Sequence, residues 1–123
     1  MAERNDIPAV VPSIRHAGDA VVATLRGEID LHNSPSVRTA LLKFLDENKP
    51  TRLVLNLGDV PYMDSSAIAV LVEALQRMRK TGGKIYLTNL QPRVKGLLEI
   101  ARLDSIFVVV ASEAEALGDR KTE

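Results

Sequence analysis

Asp64-Ser65-Ser66 stand directly before a run of apolar residues spaced at a helical period. An aspartate in that place accepts hydrogen bonds from backbone amides one turn further on. The two serines then fall on the first helical positions, where four N–H groups have no partner within the helix. A phosphoryl group on a hydroxyl there would meet free donors and the positive end of the helix dipole. It would add about −1.5 to −2 charges at neutral pH. The same three residues also serve as a plain helix cap, and periodicity does not separate the two readings. A second carboxylate, Asp30, lies in the segment Glu28-Ile29-Asp30-Leu31-His32-Asn33. It either contacts a partner or hydrogen-bonds its own turn.

Other chemistries find less support. Asp30 and Asp64 as a pair would suit general acid–base work or Mg²⁺. No glycine-rich phosphate loop accompanies them, and Gly27, Gly58 and Gly82-Gly83 sit at ordinary turn positions. His16 falls in a strand pattern and His32 in a loop, without a metal-ligand spacing, and Ser65 has no His-Asp pair. With no cysteine, thiol catalysis, disulfides and Cys-based metal sites are excluded. No metal, no cofactor and no enzymatic activity are therefore expected. Sixteen basic residues balance sixteen acidic ones, which argues against nucleic acid as a ligand. The cluster Arg77-Met78-Arg79-Lys80 fans out around a helix end, where cations favour the dipole, and reads as a solvated face.

The flanking patterns supply a scaffold for these groups. A chain of 123 residues holds one domain, and with two Phe, two Tyr and no Trp its core must be aliphatic. Residues 10–16 and 20–26 read as a hairpin around Ala17-Gly18-Asp19. Ser34 followed by Pro35 marks a helix start, with the Ser34 hydroxyl as cap. That helix should reach about Asn48, burying Val37, Ala40, Leu41, Phe44 and Leu45, before Pro50 blocks it. The near-continuous apolar run 53–57 predicts a central strand covered on both faces. A second helix is predicted over 65–80, with Ala67, Val70, Leu71, Ala74, Leu75 and Met78 on its buried face. Strands at 84–88 and 106–110 flank a third helix at 91–101, whose inner side carries Val94, Leu97, Leu98 and Ala101. A short helix at 113–117 ends the pattern. The predicted order is ββαβαβαβα: an α/β single domain with an opening hairpin, then alternating helices and mostly parallel strands. Its expected limits are 10–117, between a flexible stretch 1–9 and a frayed tail 118–123. Functional loops of such sheets gather at the carboxyl ends of strands, so the Asp30 and Asp64 loops should share one edge.

Several segments together resemble the STAS family, and within it the bacterial anti-sigma factor antagonists. They are Leu25-Arg26-Gly27-Glu28-Ile29-Asp30, Leu53-Val54-Leu55-Asn56-Leu57, Tyr62-Met63-Asp64-Ser65-Ser66-Ala67, Gly82-Gly83-Lys84-Ile85-Tyr86-Leu87 and Val94-Lys95-Gly96-Leu97-Leu98. The resemblance implies a STAS-like fold and a non-enzymatic protein-binding switch. It implies that Ser65, directly after the aspartate, is the phosphoacceptor, with Asp64 as the N-cap beside it. The implied partners are an anti-sigma factor that is also a serine kinase, and a metal-dependent PP2C-like phosphatase that resets the switch. Asp30 would lie near the partner's nucleotide. Where the family usually has glycine after the two hydroxyl residues, this chain has Ala67, a better helix former whose methyl group is expected to crowd a docked partner.

The second helix leaves Ala69, Val72, Glu73, Gln76, Arg77 and Lys80 off its buried stripe. Ser65, Ser66, Ala69, Val72, Glu73 and Gln76, with Asp30, are the expected partner-binding residues. For Ala69 and Val72 the competing reading is packing beneath a neighbouring helix. A monomer or weak dimer is expected. No apolar run approaches the roughly 20 residues of a membrane span. The start Met1-Ala2-Glu3-Arg4-Asn5-Asp6 is unlike a signal peptide, so a cytoplasmic location without membrane insertion is expected. The alternative is a STAS scaffold subunit of a lipid-transporting ABC system. Relatives of that kind often carry Asp-Thr-Ala-Gly at the helix start, where this chain has Asp64-Ser65-Ser66-Ala67.

Overall fold

The structure, a computed structural model, describes residues 13–118. The order is β1 (Ser13–Ala17), β2 (Ala20–Arg26), α1 (Ser34–Asn48), β3 (Arg52–Asp59), α2 (Ser65–Lys80), β4 (Lys84–Thr88), α3 (Pro92–Ile100), β5 (Val108–Val110) and α4 (Glu113–Gly118). This is the ββαβαβαβα pattern. β1 and β2 form the antiparallel hairpin around Gly18, whose φ of 65° is the left-handed conformation that glycine adopts freely. From β2 onward the pairings are parallel and the five strands lie in chain order.

That order explains why the two faces of the sheet differ. Each parallel step moves the same way across the sheet, and crossovers have one preferred hand, so α1, α2 and α3 stack on one face. Val21, Ala23 and Leu25, Leu53, Leu55 and Leu57, and Ile85 and Leu87 point to that face and join the helices' apolar residues in the main core. The alternate residues Val22, Val54 and Tyr86 point the other way and meet Ala116 of α4. Each leucine fully buried in such a core contributes about 1.5–3 kcal/mol. β3 sits in the middle and is buried on both faces, as its apolar run predicts.

The bounds of β2, α2 and β4, and all six core residues of α2, match the expected ones. Four details differ. Ser34 does not cap α1: it is buried in the first turn, and Asn33 holds the cap position without a side-chain cap bond. In α1, Leu42 is buried, while Ala40 and Phe44 are only half-buried. Ala101 is exposed at the end of α3, and Leu97 is half-buried. β5 is shorter than the expected 106–110 because the amides of Ile106 and Phe107 both donate to the Leu103 carbonyl, drawing them into a turn. Gly118 closes α4. Residues 10–12 of the expected first strand, the stretch 1–9 and the tail 119–123 lie outside the described residues.

Candidate functional site: a helix start clamped to a neighbouring loop

The C-terminal ends of β2 and β3 lead into two loops that touch. Ile29 and Met63 form an isolated parallel bridge, with the Ile29 amide donating to the Tyr62 carbonyl and the Asp64 amide to the Ile29 carbonyl. The expectation that the Asp30 and Asp64 loops share one edge is met by backbone pairing. The two carboxylates accept from different partners, Asp30 from the His32 amide and Asp64 from the Leu31 amide and the start of α2.

Asp64 is the N-cap of α2. Its Oδ1 accepts from the Ser66 amide at 2.9 Å, the Ser66 hydroxyl at 2.6 Å and the Ala67 amide at 3.3 Å. Its Oδ2 reaches across to the Leu31 amide at 2.9 Å. The Ser66 hydroxyl, and then the amides of Ala67, Leu31 and Ser66, hold the Asp64 carboxyl below the usual carboxylate range against a desolvating push upward. This carboxylate therefore remains charged at neutral pH. It also occupies first-turn donors that a phosphoryl group would otherwise find free, so a phosphate on Ser65 competes with Asp64 and repels it.

The two serines differ in a way their order alone does not show. The Ser66 hydroxyl is engaged with Asp64 and half-buried. Ser65 is exposed, and its hydroxyl makes no hydrogen bond to any described residue. Asp30 fits the turn-residue reading: its Oδ1 accepts from the His32 amide at 2.9 Å, and its own amide donates to Asn33 Oδ1 at 2.9 Å. Asn33 Nδ2 closes the loop on the Glu28 carbonyl. Asn33 is turned inward to the loop, which leaves α1 without a side-chain cap.

Of the other expected contact residues, Ala69 and Gln76 are exposed and Val72 is half-buried. Glu73 is half-buried and held by Arg38 of α1 through two bonds of 2.6 Å. That guanidinium keeps the Glu73 carboxyl below its usual range. Arg77 likewise reaches Asp46 of α1 at 2.5 Å, so it is not the freely solvated cation expected from the sequence. Ala67 departs from its expected role as well. At 2% exposure its methyl points into the domain's own core, so it does not crowd a docked partner. His16 packs against Phe44 with ring centroids 6.0 Å apart, and His32 is exposed. No metal-holding cluster of His, Cys, Asp or Glu occurs among the described residues, and none of their helices is long and apolar enough to cross a membrane.

Sequence reasoning passed over Leu31. It is 74% exposed, and its amide is held by Asp64, the residue before Ser65. The available signal was one large aliphatic residue in an otherwise polar stretch after Ile29. Arg93 was also missed; its guanidinium lies 5.2 Å over the Tyr62 ring, where the Asp64 loop begins.

The model of the STAS domain family matches residues 11–116. The chain belongs to the STAS domain family. Among curated relatives, an anti-sigma-B factor antagonist of Bacillus subtilis is 32% identical over 91 residues, 74% of this chain and 82% of that protein. An anti-sigma F factor antagonist of Paenibacillus polymyxa is 27% identical over 104 residues, 85% of this chain and 89% of that one. In fold, this STAS domain is similar to the crystal structure of an anti-sigma factor antagonist from Mycobacterium paratuberculosis. The TM-score is 0.82 at 20% identity, over 94% of this chain and 97% of the other.

Proposed function

We propose that this STAS domain is an anti-sigma factor antagonist: a cytoplasmic, non-enzymatic switch that binds a protein partner and is turned off by phosphorylation at Ser65. The partner is an anti-sigma factor that is also a serine kinase, and binding it frees the sigma factor. The names of the curated relatives support this reading, and one structural observation carries it. Ser65 presents an exposed, uncommitted hydroxyl at the start of α2, whereas Ser66 beside it is bound to Asp64.

The kinase transfers the γ-phosphoryl group of ATP to Ser65 Oγ, breaking the bond to ADP and taking up the hydroxyl proton. The new dianion sits beside ionised Asp64, in an interface that docking partly dehydrates. Like-charge repulsion and desolvation both oppose rebinding. A PP2C-like phosphatase hydrolyses the ester and resets the switch. Ser66, Ala69, Val72 and Gln76 continue the docking face along α2, Glu73 borders it from its pairing with Arg38, and Asp30 lies at its loop edge.

The test combines phosphosite mapping and binding with the anti-sigma factor kinase of the source organism. Phosphate is expected on Ser65 alone. Ser65→Ala is expected to bind within about twofold of wild type and stay unmodified, and Ser65→Asp to bind about tenfold or more weakly, a difference of about 1.4 kcal/mol per tenfold. Undiminished binding by Ser65→Asp would show that charge at this position is not the off signal.

A further inference from the structure

We propose that Leu31 is the apolar anchor by which the Ser65-modifying kinase docks, and that this kinase carries an apolar pocket beside its catalytic site to receive it. The inference rests on Ser65 being the phosphoacceptor.

A single exposed leucine is ordinary on a protein surface. Three observations set Leu31 apart. It is 74% exposed in a loop whose other members are polar, apart from buried Ile29. Among the described residues, the other exposed large apolar side chains, Ile100, Ile106 and Val108, lie at the end of α3 and in or just before β5, the edge strand on the far side of β3 and β4 from β2. Second, the loop is held rigidly. The Leu31 amide donates to Asp64, the His32 amide to Asp30, the Asp30 amide to Asn33, and Ile29 pairs with Met63. A side chain presented on such a frame loses little conformational freedom when a partner covers it. Third, the carboxylate that holds Leu31 belongs to the residue before Ser65 in the chain.

Phosphoryl transfer requires the attacking hydroxyl to be oriented and shielded from water. An enzyme that encloses Ser65 Oγ must therefore descend over the ground next to Asp64, and Leu31 stands on that ground. Covering a leucine with polar groups forfeits the transfer free energy of its side chain, whereas an apolar pocket recovers it. Binding energy of this kind acts on docking and not on the transfer itself, so it appears in KM.

The experiment is steady-state phosphorylation of the full chain by the purified anti-sigma factor kinase with ATP and Mg²⁺. It compares wild type, Leu31→Ala, Leu31→Asp and Ile100→Ala, with thermal melts of each as a folding control. Leu31→Ala is expected to raise KM for this protein about tenfold or more, with kcat within about twofold of wild type, and Leu31→Asp to raise it further. Ile100→Ala, which removes a still more exposed apolar side chain elsewhere, is expected to leave both constants unchanged. An unchanged KM in Leu31→Ala overturns the anchor while leaving Ser65 as the acceptor. An equal rise in Ile100→Ala also overturns it, because the effect is then general surface apolarity. If no anti-sigma factor kinase of the source organism modifies wild-type Ser65, the underlying reading fails and the anchor falls with it.

Discussion

Asp64 divides its carboxylate between two elements that are distant in sequence. Oδ1 collects the amides of Ser66 and Ala67 and the Ser66 hydroxyl, while Oδ2 collects the Leu31 amide. Removing it frees four donors at once. Asp64→Ala is therefore expected to lower Tm by several degrees and to speed hydrogen exchange at the Leu31 and Ser66 amides, with Asp64→Asn losing less. The pH dependence follows from the depressed carboxyl of Asp64. In the unfolded chain the group titrates at its ordinary value, about pH 4. Its stabilisation is fully present above that pH and is lost as pH falls through the lower native value. Thermal melts between about pH 2 and about pH 7 should show wild type and Asp64→Asn converging below about pH 4. A constant gap at all pH values would mean that the charge contributes nothing.

At the scale of elements, α2 is the best-defined piece because three local signals agree: an acidic cap, six apolar residues at helical spacing and a glycine stop. The stop uses its two glycines differently. Gly82 adopts a φ of 77°, the left-handed conformation that ends helices. Gly83 has no positive φ; it is required by space. A Cβ there would lie 2.6 Å from Met78 Cε and 3.1 and 3.2 Å from the carbonyl oxygens of Thr51 and Pro50. Met78 is itself buried, and the two carbonyls lead into β3. Gly83→Ala is expected to cost about 1–3 kcal/mol in urea denaturation, as overpacking does. A neutral result would show that Met78 moves aside freely. The α1 start shows where local signals mislead. Ser34-Pro35 has the pattern of a capped start, yet the cap position falls to Asn33, whose side chain is needed to close the Asp30 loop.

For the whole molecule, the unequal faces of the sheet set a gradient of stability. Three helices cover one face with most of the core. On the other, the six-residue α4 buries only Ala116 and is tied down by Glu113 to Asn56 at 2.5 Å and to Arg15 at 2.9 Å, and by the Leu117 carbonyl to Arg52 at 3.1 Å. Thin apolar contact gives local opening well below the global unfolding free energy. Native-state hydrogen exchange is expected to release the α4 amides first, with β2 and β3 exchanging last and together. Exchange of α4 in step with β3 would show that it belongs to the same cooperative unit.

Element order, strand direction after the hairpin and the buried stripe of α2 were determined by the sequence itself. Each depends on residue type repeated at a local period, or on chain connectivity. The acidic cap and the hydroxyls after it were legible for the same reason. Local geometry at the helix start decided which serine hydroxyl stays uncommitted, and tertiary structure alone decided that Asp64 also holds Leu31. That contact depends on two loops meeting across a gap of 33 residues, and no local pattern encodes that distance.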